Sequence, residues 1–339
     1  MRATADETEG TGMPQAGSLQ GRTAIVTGAG RGLGRAEALE LAGLGARVVV
    51  NDLGAPEAGT KAPSGAPGPG AGGEGEASAG PAEQVAAEIR AAGGQAVAHE
   101  GDVADFAQAQ ELVRLALDTF GSLEILVNNA GILRDRMVFS MSEEEWDSVV
   151  RVHLKGHFNT TRFAAAHWRE TAKAAGGPVY GRIVNTSSEA FVAGSPGQPN
   201  YAAAKGGIVG LTTSTAGALA KYGVTANVIC PRARTRMTED VFQGFEVPAD
   251  GVDPLAPAHV SPLVGYLASP AAAHVNGQLL VVHGGMVALL EAPRVAARFD
   301  TDKDFFTVEE LDRKLTPFFG DRPAHETFAA VAVLGLKKG

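Results

Sequence analysis

Tyr201 and Lys205 stand four residues apart, so any helix that carries them presents both on one face. A phenol beside an ammonium suits proton exchange with an alcohol or a ketone. A free phenol titrates at about pH 10, too high for ready exchange at neutrality. A neighbouring cation lowers that value by favouring the phenolate. The same pair also suits a lysine stem packed against a half-buried tyrosine, so its meaning depends on what else the chain holds.

A second element of chemistry is the run Thr27-Gly28-Ala29-Gly30-Arg31-Gly32-Leu33-Gly34. It joins the apolar strand Thr23-Ala24-Ile25-Val26 to a helical period formed by Ala38, Leu41 and Ala42. Glycines there let the backbone turn sharply and approach a pyrophosphate, which then rests at a helix N-terminus. The next strand, over 47–52, ends in Asp52, placed to accept hydrogen bonds from both hydroxyls of an adenosine ribose. That context points to a dinucleotide. Asp52 would repel a 2′-phosphate, so NAD(H) is favoured. Arg31 pulls the other way, because a cation in the turn can pair with a 2′-phosphate, and NADP(H) stays open. A salt bridge to Asp52 or plain solvation are the other fates open to Arg31.

These residues need a scaffold, and the chain alternates strand and helix to provide one. Helices are predicted over 83–92 and 106–119, opening at Ser142 and following Tyr201. Strands are predicted over 95–100, 124–127, 182–186, 225–229 and 278–282. Ser142 and Glu145 have capping-box spacing, as do Thr307 and Glu310. The alternation predicts an α/β, doubly wound parallel sheet of Rossmann type, in a single domain over residues 21–290. Residues 1–20 read as a flexible tail. Residues 54–80, rich in Gly, Ala and Pro, read as a flexible insertion that cannot repay its ordering entropy by burial. Residues 291–339 form a C-terminal extension with one short amphipathic helix.

With the motifs in order, the chain resembles the short-chain dehydrogenase/reductase family. The resemblance rests on the glycine turn, Asn128-Asn129-Ala130-Gly131 after the fourth strand, Ser188 after the fifth, and Tyr201 with Lys205. It implies that Ser188 orients a substrate carbonyl and Tyr201 exchanges the proton. Lys205 would bind the nicotinamide ribose and tune Tyr201. By the same resemblance Gly28, Arg31, Gly32, Leu33 and Gly34 surround the dinucleotide, and Asn128 supports its adenosine side. Asp102 would meet the adenine amino group, with Val103 beside it. Pro231 and Thr235 would meet the nicotinamide end. The sequence departs from the family at two places. His153 stands where an asparagine usually helps hold a water leading to the lysine, a place an imidazole can take. Arg232 follows Pro231 where glycine is usual, and could alter the backbone there or supply a cation.

Three local strings resemble the branch of the family that handles (3R)-hydroxyacyl-CoA with NAD: residues 51–54, 129–136 and 151–156. That resemblance implies a 3-hydroxyacyl/3-oxoacyl thioester substrate. Where the chain diverges after Pro231, Arg232, Arg234 and Arg236 could offer charge for a carrier's phosphates, with Arg234 or Arg236 otherwise solvated or salt-bridged. A steroid, terpenoid or polyketide carbonyl, in a pocket closed by Phe242, Phe245 and the tail, is the alternative. A non-catalytic dinucleotide-binding regulator is a third reading, disfavoured by the intact Ser188, Tyr201 and Lys205. The family also implies a homodimer or homotetramer paired through the two long helices near 142–173 and 201–221.

Composition narrows the rest. A net charge of −9 over 339 residues leaves no basic excess to neutralise phosphates, so nucleic acid is not an expected partner. No apolar stretch has membrane-spanning length, and no secretory signal is visible. One cysteine, Cys230, suits a reducing compartment, and the chain reads as cytoplasmic. His153 and His157 have helical metal-ligand spacing, but no glutamate follows the first as in metalloproteases. Asp300, Asp302 and Asp304 mimic a calcium loop that fails at Phe305 and Leu311, where glycine and glutamate are needed. No metal is expected.

Overall fold

Runs such as Ala24-Ile25-Val26 and Val48-Val49-Val50 need cover on both faces of a strand, and the fold covers both. The structure, a computed structural model, describes residues 18–54, 79–235, 251–323 and 326–336. Strands β1 (Thr23–Thr27), β2 (Arg47–Asn51), β3 (Gln95–His99), β4 (Ile125–Asn128), β5 (Gly181–Thr186), β6 (Val224–Pro231) and β7 (Leu279–His283) run parallel. They lie in the order β3-β2-β1-β4-β5-β6-β7, followed by β8 (Met286–Leu290). This is the doubly wound α/β sheet that the alternation predicts, with one correction. β8 returns antiparallel along β7, so the sheet is not wholly parallel. The turn at Gly284, with φ +50°, makes that return possible.

Alternate side chains of β1 go to opposite cores. Ala24 and Val26 meet helices α1 (Gly32–Gly43), α2 (Pro81–Ala91) and α8 (Ser261–Ala268). Ile25 meets α3 (Phe106–Phe120) and α5 (Gly156–Ala175), where Trp168 donates from Nε1 to Leu123 O at 2.6 Å. The remaining helices are α4 (Glu143–Val150), α6 (Ala190–Ala193), α7 (Pro199–Leu219) and α9 (Val308–Phe319). Both expected capping boxes form, at Ser142/Glu145 opening α4 and at Thr307/Glu310 opening α9.

The long helix expected from Ser142 is interrupted. Arg151–Lys155 is a π-helical turn between α4 and α5, in which Gly156 N–H donates to Arg151 O. Such wide turns gather at functional sites, and this one carries His153. The tail boundary also moves, because Leu19 is fully buried and its N–H donates to Leu44 O. Residues 1–17 and 55–78, to which the tail and insertion readings chiefly refer, lie outside the described residues. Asp300, Asp302 and Asp304 sit in an exposed stretch, Asp300 pairing with Arg298.

Candidate active site

Strand order reverses between β1 and β4, and their C-terminal ends open a crevice there, the usual ligand position in such sheets. A cleft of about 510 Å³ occupies it. One end is lined by Gly28, Arg31, Gly32, Leu33, Asp52, Asp102 and Val103. Tyr201, Lys205, His153, Pro231 and Thr235 line the cleft as well.

The glycine turn has reasons of shape at each step. Gly28 (φ +62°) and Gly32 (φ +53°) adopt left-handed backbone. A Cβ on Gly28 would lie 2.7 Å from Ala130 Cα. Gly34 does not line the cleft; a Cβ there would meet Gly28 O at 2.4 Å, so this glycine brings α1 close to β1. Asp52 accepts from Gly30 N–H at 3.0 Å and from Gly54 N–H at 2.9 Å. Its carboxylate thereby braces the turn while facing the cleft. Among the described residues Arg31 makes no ion pair with it.

Two of the expected contacts are already engaged within the protein. Asn128 is buried outside the cleft: its amide donates to Asn185 Oδ1 (2.9 Å) and Thr161 Oγ1 (3.2 Å), and its Oδ1 accepts from Thr160 (2.7 Å). With every group engaged, it braces β4 against β5 and α5 and supports the site from behind. Asp102 borders the cleft, but its carboxylate pairs with Arg151 and accepts from Ala104 N–H. Val103 lies beside it, its carbonyl held by Asn159. The sequence reading passed over Arg151, Asn51, Asn129 and Arg134 as site residues, although all line the cleft. Asn129 followed directly from the Asn-Asn-Ala-Gly string; the others carried no local signal.

α7 delivers Tyr201 and Lys205 on one face. Ser188, just beyond β5, accepts from Ala190 N–H at 3.2 Å and stands close enough to the Tyr201 phenol to favour its ionised form. Neighbouring Ser187 is structural, donating to Lys205 O at 2.8 Å. Lys205 Nζ donates to Thr186 O at 2.7 Å and lies 5.3 Å from the centre of the Tyr201 ring. Burial pushes the Lys205 amine down to about 7 and the Tyr201 phenol up to about 12, with nearby Ser188 opposing the latter. Desolvation is the largest influence on the Tyr201 phenol, and Lys205 is not among the groups that shift it.

His153 is buried edge-on to Tyr201, ring centres 5.2 Å apart. Its Nε2 lies 3.1 Å from Ile132 N and 2.8 Å from Ile132 O, and its buried Nδ1 has no partner. Burial, then the Lys205 charge, hold it well below the ordinary histidine range, so the ring is neutral. His157 is likewise buried and pushed down to about 3.

The arginines after β6 are committed. Arg232 forms a two-bond ion pair with Glu189 at 2.6 and 2.7 Å and donates to Leu336 O and Val333 O. Arg234 pairs with Asp253 at 2.9 Å. Both carry ion pairs within the protein, as the sequence left open for Arg234. Arg236, Phe242 and Phe245 lie outside the described residues.

A family model described as short chain dehydrogenase matches residues 76–244. Hydroxyacyl-CoA dehydrogenase ChsB1 of Mycobacterium tuberculosis is 51% identical over 322 residues, covering 93% of this chain and 94% of that protein. Peroxisomal multifunctional enzyme type 2 of Mus musculus is 43% identical over 276 residues, which cover 81% of this chain and 33% of that larger protein. A crystal structure of a short chain dehydrogenase from Mycobacterium avium is similar at 45% identity with a TM-score of 0.74, covering 91% of this chain and 98% of that one.

Proposed function

The chain belongs to the short-chain dehydrogenase family, and from that premise we propose an NAD(H)-dependent enzyme that interconverts 3-hydroxyacyl and 3-oxoacyl thioesters, with (R) configuration at the alcohol. The observation that carries the redox reading is Tyr201 and Lys205 together in the cleft that begins at the glycine turn, with Lys205 Nζ 5.3 Å from the Tyr201 ring and Ser188 beside the phenol. The substrate class is supported by the relatives named for hydroxyacyl-CoA dehydrogenation and 3-oxoacyl reduction.

The cleft fits a dinucleotide by its shape and donors. Backbone at Gly28 and Gly32 leaves a cradle that side chains would obstruct or strain. Asp52 would hold the adenosine ribose, Asp102 and Val103 would border the adenine, and Gly28, Arg31, Gly32 and Leu33 would surround the pyrophosphate. Lys205 would hold the nicotinamide ribose, with Pro231 and Thr235 at the carboxamide. When bound, the cofactor accepts or supplies hydride. The carboxylate of Asp52 supports NAD(H) over NADP(H).

Ser188 orients the substrate oxygen, and Tyr201 moves the proton. A phenol near 12 is protonated at neutral pH, ready to donate to a carbonyl oxygen as it gains charge. For alcohol oxidation Tyr201 must give up that proton first. A positive charge nearby favours that loss. Lys205, poised about neutrality, would return protons to the phenol, with His153 helping to hold the path open.

Assays decide the substrate. NADH oxidation with acetoacetyl-CoA and NAD reduction with (R)- but not (S)-3-hydroxybutyryl-CoA are expected. Turnover of a cyclic ketone with none of any thioester would retire the thioester reading and leave the redox chemistry. We also propose a cytoplasmic homodimer or homotetramer paired through α5 and α7, and light scattering that reported only monomer at micromolar concentration would overturn that assembly.

A further inference from the structure

Arg232 stands beside the cleft, and its guanidinium is spent on Glu189, His283, Val333 and Leu336, none of which lines it. Its backbone follows Pro231, which lines the cleft. Its guanidinium takes both oxygens of Glu189, the residue after Ser188. The same group donates to Val333 O at 2.6 Å and Leu336 O at 2.7 Å, with His283 Nε2 at 3.3 Å. The ion pair is nearly buried, at 14% and 9% side-chain exposure. A planar fork with five donors can serve a carboxylate and two carbonyls at once; an ammonium cannot match that geometry.

The two carbonyls belong to a strap of the C-terminal extension, residues 329–336. Ala330 N–H donates to Val192 O at 2.6 Å. Val333 is buried with Cys230 and Val281 in a cluster that also takes Phe191, Val192 and Leu336. Short helix α6 therefore touches the strap and also α7, where a Cβ on Gly206 would stand 3.6 Å from Phe191 Cβ. The Ser188 turn leads directly into α6 and is tied to Arg232 through Glu189.

We propose that Arg232 is a positioning residue, which fixes the Ser188 turn by latching the strap 329–336 and Glu189 to the end of β6. This rests on the roles of Ser188 and Tyr201 given above, and adds the extension as a working part of the site. Without the latch, Glu189 is left as a poorly paired carboxylate, α6 loosens, and Ser188 drifts from Tyr201.

Arg232→Ala should lower kcat by about ten- to a hundredfold, the scale of an ångström-sized misplacement, and leave NADH affinity within about twofold. Hydrogen exchange should quicken over 186–194 and 329–336. Arg232→Lys should not rescue kcat. Val333→Asp, which unseats the strap without touching Glu189, should lower kcat in the same direction. The double variant should be little worse than the poorer single one, because both break one unit. Should Arg232→Ala fail to fold, Glu189→Gln at the same latch carries the measurement. Native kcat well below the melting temperature, or unchanged exchange over 186–194, would overturn the proposal. The exchange measurement needs no substrate, and kinetics can use any carbonyl the unaltered protein reduces. Failure of the thioester reading would thus be seen separately.

Discussion

The imidazole of His153 fills the space a side chain on residue 131 would need: a Cβ on Gly131 would stand 2.2 Å from His153 Cε1. The family string Asn-Asn-Ala-Gly ends in glycine here, and the ring that replaces the usual asparagine lies against it.

Gly131→Ala should push the ring off Ile132 and cut turnover by at least about tenfold. Restoring space with Gly131→Ala/His153→Ala separates filling from function. Thermal stability should recover in the double variant while turnover stays low. Near-native turnover in that double variant would reduce His153 to a spacer.

Tyr201→Phe removes the proton-bearing oxygen and keeps the ring that stacks edge-on with His153. Turnover should fall by about 10² to 10⁴-fold with NADH binding nearly intact. Near-native turnover with an unperturbed fold would dismiss Tyr201 as the acid/base. Lys205→Ala should damage both binding and turnover.

Cofactor choice should turn on Asp52. NAD(H) should bind more tightly than NADP(H), and Asp52→Ala should narrow or reverse the gap. Some affinity for both should also be lost, because Asp52 braces the turn through Gly30 N–H. Fluorescence titration checks this, and tighter NADP(H) binding by the unaltered protein would mean that Arg31 prevails.

Glu37 gives a stability prediction. It is buried in α1, its carboxyl oxygens have no hydrogen-bond partner, and burial raises it to about 8. Between the unfolded value of 4.5 and that folded value, the native state holds the extra proton. Stability from this group is therefore lost as pH rises through the window, up to about 1.4 kcal/mol per pH unit. Relative to Glu37→Gln, the unaltered protein should lose stability from about pH 5 to 8 in chemical denaturation. A difference independent of pH would contradict the assigned titration.

What the sequence alone determined lies mostly within a few residues of itself. Capping boxes at Ser142/Glu145 and Thr307/Glu310, the glycine turn after β1, and the shared face of Tyr201 and Lys205 are set by short-range geometry, so their spacing announces them. Strand and helix alternation announced the doubly wound sheet for the same reason. Other roles were decided by tertiary structure. Asn128 turned from the cleft into a polar bond with Asn185, and β8 folded back on β7. Arg232 spent its charge on Glu189 and on carbonyls about a hundred residues away in sequence. A buried donor must find acceptors wherever the fold brings them. Chain spacing carries no record of that meeting, whereas packing of the strap, α6 and the end of β6 leaves Arg232 little alternative.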